Sequence, residues 1–185
     1  MAAILGLSPE QVRDVCKQAS DATGEPLVLA NDNCPGQIVI SGDRTALEKA
    51  LEIAKGAGAR RAIPLKVSVA PHSPLMAPAE TGFIKAVEKT TFSNPKMSVY
   101  ANSNATQLND VPTIRKEIES QLTNPVHWTE TIQKIIANGA TTFVEIGSKD
   151  VLTGLLKRID RSAQGITLGT VDELKAFVAT NDQNA

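Results

Sequence analysis

The chain has 185 residues, 42% of them hydrophobic, with 19 Lys+Arg against 20 Asp+Glu and a formal net charge of -1. That length and apolar content give one domain, or a domain with a small subdomain, and exclude a disordered or collagen-like chain. The near-zero charge leaves no electrostatic case for nucleic acid or an anionic membrane surface as a partner.

Residues 2–7 are a short apolar run. Ser8-Pro9-Glu10-Gln11 then supplies an N-cap, a proline at the first helical position and a capping-box glutamine. The helix that follows places Val12, Val15, Cys16 and Ala19 on one face, and Gly24 can end it. A strand is predicted over 27–30 and another over 37–41, with residues 31–36 as a six-residue hairpin connection. A second helix over about 46–57 stacks Leu47, Leu51 and Ala54. Residues 61–69 return as a strand interrupted by Pro64, which suits a sheet edge. This βαββαβ order is the ferredoxin-like motif.

Beyond residue 70 the pattern predicts a helix over 78–90 (Phe83, Ile84, Val87) and a short strand over 97–101. A helix opened by Asp110 and Pro112 carries Ile114, Ile118 and Leu122 and is broken at Asn124-Pro125. A further helix aligns Trp128, Ile132, Ile135 and Ile136 and stops at Asn138-Gly139. Then come a buried strand over 142–146, a helix lined by Leu152, Leu155, Leu156 and Ile159, a strand over 166–171 and a helix near Leu174, Phe177 and Val178. Residues 181–185 read as a polar, frayed tail. The alternation predicts a parallel sheet with helices on its faces. Three strands are too few for a free-standing doubly wound sheet, so one sheet edge is expected to lack its neighbours.

Aromatics are 3% of the chain, so the core falls to Ile, Leu, Val and Ala. Cys16 and Cys34 can make neither a disulfide framework nor a zinc site, which points to a reducing compartment. The start has no basic leader and no run approaches a membrane span, so a cytoplasmic protein is expected.

Candidate chemistry is sparse. The only histidines are His72 and His127. His72, in Val69-Ala70-Pro71-His72-Ser73-Pro74, sits at the predicted carboxyl end of a strand and before a helix, where α/β folds place ligand-binding and catalytic groups. A histidine that merely caps the loop is the bland alternative. His127, beside Trp128 at a helix start, reads as structural. The amides of Asn31-Asp32-Asn33 could bind an acyl carbonyl or the pantetheine amides of a thioester, although a hairpin turn explains the same composition. Cys34 has no basic residue adjacent in sequence to activate it. No serine has glycine two residues before and two after, and no GxGxxG, Walker, HExxH or CxxC pattern occurs. The residues alone offer a candidate base and no nucleophile, cofactor or metal.

Seven segments, in order, resemble the C-terminal part of the malonyl-CoA:acyl-carrier-protein transacylases, which load malonyl groups for fatty-acid synthesis. They are Met1-Ala2-Ala3-Ile4-Leu5-Gly6-Leu7, residues 33–42 opening Asn33-Cys34-Pro35-Gly36-Gln37, residues 58–65, His72-Ser73-Pro74-Leu75-Met76, residues 121–130 opening Gln121-Leu122-Thr123-Asn124-Pro125, Phe143-Val144-Glu145-Ile146-Gly147, and residues 151–159. The resemblance implies an α/β fold. In it residues 1–69 are a ferredoxin-like small subdomain, residues 70–180 are the C-terminal part of an α/β-hydrolase-like large subdomain, and residues 181–185 are a tail. It implies a ping-pong transfer in which an elbow serine takes malonyl from malonyl-CoA and gives it to the phosphopantetheine thiol of acyl carrier protein, with no cofactor. His72 falls on the general base. Gln121 falls on the residue whose backbone carbonyl fixes the histidine tautomer. Asn31 and Asn33 match the amide-rich hairpin facing the substrate cleft.

The departures are specific. The family's Gly-x-Ser-x-Gly, its oxyanion glutamine and its malonyl-pairing arginine have no counterpart here and would lie upstream of Met1. The chain therefore reads as a fragment, inactive alone. The usual Gly-Pro-Gly-Lys turn is Gly147-Ser148-Lys149-Asp150, and the residue before the histidine, often Phe in malonyl-selective relatives, is Pro71. That leaves malonyl against branched malonyl open. A non-catalytic carrier-protein-binding module and a polyketide synthase acyltransferase fragment are the alternatives. An organellar origin would move the site from cytoplasm to a plastid-like stroma.

Overall fold

Six elements open the chain: β1 (Ala2–Leu5), α1 (Pro9–Thr23), β2 (Leu27–Cys34), β3 (Gln37–Gly42), α2 (Arg44–Gly56) and β4 (Arg61–Pro64). The computed structural model describes residues 1–182. Local chemistry starts and stops these helices. The Ser8 hydroxyl accepts from Gln11 N while Gln11 Oε1 accepts from Ser8 N, closing the expected capping box. Gly24, at φ 73, ends α1 in the left-handed conformation. Asp43 caps α2 by accepting from Thr45 N and Ala46 N.

The four strands form one antiparallel sheet in the order β2-β3-β1-β4. This is the ferredoxin-like arrangement, with the strand at Leu27 antiparallel to that at Gln37 as the hairpin reading requires. Ala2, Ile4, Ile38 and Ile40 of the sheet pack with Val12, Val15 and Ala19 of α1 and with Ala46, Ala50 and Ala54 of α2 in one buried cluster. The alanines let α2 lie close, so a core almost without aromatics still closes.

Two sequence expectations shift here. The hairpin loop is only Pro35-Gly36, because β2 continues through the asparagines to Cys34. Two register shifts, between Leu29 and Asn31 and between Asp32 and Cys34, absorb the extra residues as β-bulges. At the other edge, β4 stops at Pro64 and does not reach residue 69. Proline cannot donate to the ladder, and after one more bond, from Leu65 N to Met1 O, the chain leaves the sheet.

The remaining elements are α3 (Ala77–Glu88), β5 (Val99–Tyr100), β6 (Gln107–Leu108), α4 (Val111–Ser120), α5 (Trp128–Ala137), β7 (Thr142–Ile146), α6 (Val151–Ile159), β8 (Gln164–Leu168) and α7 (Val171–Asp182). Among the described residues the expected parallel sheet is present only as the β7–β8 pair, while β5 forms an antiparallel pair with β6, a strand absent from the sequence reading. The strand at 142–146 is not buried: Val144 and Ile146 are 38% and 71% exposed. In a two-stranded sheet neither strand is central, so an apolar run does not enclose itself. Glu145 caps α6 instead, accepting from Leu152 N and Thr153 N. The tail residues 181 and 182 complete α7, and 183–185 lie outside the described residues.

By packing, the chain divides into two compact units, residues 1–131 and residues from 132 on. Among the described residues no helix is long and apolar enough to cross a membrane, and no group of three or more His, Cys, Asp or Glu could hold a metal ion.

Candidate active site

After β4 the chain runs irregularly to Pro71-His72-Ser73-Pro74, makes a single 3-10 turn over Pro74–Met76 and enters α3. His72 is thus eight residues past the end of its strand, not at the strand end as expected. Its φ is +60. A side-chain-bearing residue adopts that left-handed conformation rarely and at a cost, which tertiary bonds must offset. Two such bonds exist. The His72 backbone N–H donates to Leu122 O at 2.8 Å, and its ring Nδ1 lies 2.9 Å from Asn124 O.

Both carbonyls come from the segment that follows α4. The last carbonyls of a helix have no intrahelical donor. Here Pro125 ends any continuation, since it brings no N–H and holds Asn124 away from helical geometry. Ser120 O takes the N–H groups of Thr123 and Asn124, and Leu122 O and Asn124 O are left for His72.

A carbonyl oxygen only accepts, so the Nδ1 contact requires a proton on Nδ1. In the neutral ring this leaves Nε2 with its lone pair free to act as a base. The arrangement is a histidine held by a neutral acceptor, in place of the carboxylate of hydrolase triads.

The acceptor differs from the one anticipated. It is Asn124 O and not Gln121 O. Gln121 is the C-cap of α4 and turns its side chain inward, with Nε2 donating to Glu117 Oε1 at 2.6 Å. The carbonyl that reaches the ring is therefore at the end of the turn, three residues later. Asn124 was legible in sequence only as a helix breaker. The usable signal was the Asn-Pro step, which releases a carbonyl.

The same segment then meets the sheet. Val126 N donates to Ala30 O at 2.8 Å and Asp32 N donates to Val126 O at 2.9 Å, a parallel bridge opposite Asn31. Thr129 Oγ1 reinforces it with a 2.8 Å bond to Asp32 Oδ1. Asn31 is thereby brought to the segment that holds His72, two residues along from the Asn124 acceptor. Asn33 lies at the second bulge and is half-buried.

His72, Leu29, Thr123 and Pro125 line a cleft of about 420 Å³, with Arg13 and Lys17 of α1 among its other lining residues. Its thiol, Cys16, is pushed by burial to about 12 and stays protonated. Cys34 is fully buried, which removes it as a nucleophile. Ser73, next to the histidine, is also buried and donates its hydroxyl to Ala70 O at 2.7 Å. The backbone N–H of His127 donates to Asn102 O at 2.8 Å, which ties the start of α5 to that turn.

The acyl transferase domain family matches residues 6–174, and the chain belongs to it. Relatives named malonyl CoA-acyl carrier protein transacylase are similar along nearly all of it. That of Bacillus subtilis is 39% identical over 180 residues, covering 97% of this chain and 56% of the relative. That of Salmonella typhimurium is 40% identical over 183 residues, covering 99% and 58%. Among solved structures, an acyl carrier protein S-malonyltransferase from Vibrio cholerae matches with a TM-score of 0.90 at 38% identity, covering 95% of this chain and 57% of that one. A malonyl-transacylase solved in complex with a holo type II PKS acyl-carrier protein matches with a TM-score of 0.91 at 36% identity, covering 97% and 57%. The chain thus spans a little over half the length of these relatives.

Proposed function

We propose that this chain supplies the general-base half of a malonyl transferase that moves malonyl from malonyl-CoA to the phosphopantetheine thiol of acyl carrier protein. The observation that carries the reading is the Nδ1–H bond from His72 to Asn124 O, which leaves Nε2 as the proton acceptor. In the first half-reaction Nε2 takes the proton of a serine hydroxyl as its oxygen attacks the thioester carbonyl. The proton then goes to the departing CoA sulfur. In the second half-reaction Nε2 takes the proton of the carrier thiol, whose sulfur attacks the acyl-serine ester, and returns it to the serine. A backbone carbonyl stabilises the resulting imidazolium less than a carboxylate would, which suits a base that must release its proton twice per cycle.

The serine and the oxyanion donors belong to a segment outside this sequence, so the chain alone does not turn over. Residues 1–69 act as the small subdomain and residues 70–180 as part of the large one. Asn31 and Asn33 offer amides to the acyl-pantetheine arm, and the setting is cytoplasmic.

The test is transfer of radiolabelled malonyl from CoA to holo carrier protein. The chain is assayed alone and mixed with a polypeptide matching the part of the Bacillus subtilis relative that it does not span. Activity only in the mixture, reduced ~10²–10⁴-fold by His72→Ala, is the expected result. Turnover by the chain alone would overturn the reading. So would tight carrier-protein binding with no transfer in any mixture, which indicates a non-catalytic binding module.

A further inference from the structure

We propose that Glu117 is a positioning residue for His72: one buried carboxylate fixes both ends of the 121–127 segment that supplies the imidazole's carbonyl partner. The inference rests on the general-base reading above and extends it to a residue that does not touch the ring.

Glu117 stands out first by its burial. It is the buried residue of α4, whereas Ile114 and Ile118 of the same helix are only half-buried. A buried carboxylate is stable only when its lone pairs are met by several donors. Glu117 has four. Oε1 accepts from Asn102 N at 2.7 Å, Ser103 N at 3.0 Å and Gln121 Nε2 at 2.6 Å, and Oε2 accepts from the Ser103 hydroxyl.

These donors belong to the two anchor points of the 121–127 segment. Gln121 begins it. Asn102 receives its end, because His127 N donates to Asn102 O at 2.8 Å. Asn102 Nδ2 also reaches Gln121 Oε1, so the anchors are joined directly as well. Between them lie Leu122 O and Asn124 O, the two acceptors of His72. Further contacts hold the middle of the segment: the Thr123 and Asn124 N–H groups to Ser120 O, Thr123 Oγ1 to Glu80 Oε1, and Val126 to β2. None of them sets the position of the Gln121 side chain or of Asn102. A leucine of similar volume would fill the same space without desolvating a charge, but it would release both anchors.

The test reads the ring and needs no substrate. In the ¹⁵N-labelled full chain, at a pH where the imidazole is neutral, long-range ¹H–¹⁵N correlations report which His72 nitrogen carries the proton. His72→Ala assigns the ring against that of His127. The unmodified chain is expected to show the Nδ1–H form. In Glu117→Leu the ratio of Nδ1–H to Nε2–H should fall about fivefold, the equivalent of one neutral hydrogen bond. Glu117→Gln keeps an acceptor oxygen for Asn102 and Ser103 and should restore most of the ratio. If Glu117→Leu does not fold, Gln121→Met carries the test, because it cuts one anchor only and should shift the ratio in the same direction. An unchanged ratio in whichever variant is folded overturns the proposal. Failure of malonyl transfer with an intact tautomer response would remove the reaction and leave Glu117's role standing.

Discussion

Replacing His72 by alanine and by glycine separates its bonds from its backbone. Both variants lose the Nδ1 bond to Asn124 O, worth about 1 kcal/mol net, and both keep the N–H donated to Leu122 O. They differ in how they meet a φ of +60. Alanine is strained there by roughly 1–2 kcal/mol, whereas glycine is not. Against this, glycine loses ~0.4–1 kcal/mol because its unfolded chain is more flexible. The balance leaves His72→Gly more stable than His72→Ala by about 0.8 kcal/mol, the reverse of the usual order. At a urea slope of about 2 kcal/mol/M the midpoints should differ by about 0.4 M. The single tryptophan, Trp128, adjoins the 121–127 segment and gives the fluorescence signal. A His72→Ala midpoint equal to or above that of His72→Gly would refute the left-handed histidine, and with it the geometry that aims the ring.

Three other outcomes follow from the packing. Ser8→Ala opens the capping box of α1 and should cost about 1 kcal/mol in urea unfolding. Gly42→Ala puts a Cβ 2.2 Å from Pro26 O, a backbone atom that cannot swing away, so a loss of about 1–3 kcal/mol is expected from the same measurement. Asp43 and Asp110 are held below the usual aspartate range, chiefly by the backbone N–H groups of Thr45 and Thr113. A depressed folded pKa means that their contribution is complete above the unfolded value of about 3.9 and is lost as pH falls through the lower folded values. Asp43→Asn should flatten that acid limb of the stability–pH curve, and an unchanged limb would argue against the cap.

Legibility in sequence tracked how local each signal was. The capping box at Ser8 and the apolar stripe of α1 lie within a turn or two of one another, and both were readable. So was the βαββαβ order, because antiparallel neighbours with short connections leave few alternatives. The bulges of β2 were not, since nothing in Asn31-Asp32-Asn33 distinguishes a loop from a strand whose extra residues are absorbed against β3. His72 was legible as one of two histidines, by its place ahead of a helix and by the resemblance. Its partner was not, because 52 residues separate His72 from Asn124 and no periodicity spans that gap. Glu117 was hidden by the habit of assigning charged helix residues to solvent.

The Val126 bridge has a consequence beyond the site. β2 is an edge strand, and its outward N–H and C=O groups would accept a strand from any other chain. Val126 occupies Ala30 O and Asp32 N, and the two bulges bend the rest of that edge away from a straight template. The opposite edge, β4, is four residues long and ends in proline. Both borders of the sheet are thus closed to edge-to-edge growth, one by brevity and proline, the other by the segment that holds the histidine. Loosening that segment would therefore expose a pairing edge at the same time as it freed the ring, so variants that release His72 there should also be the ones that precipitate.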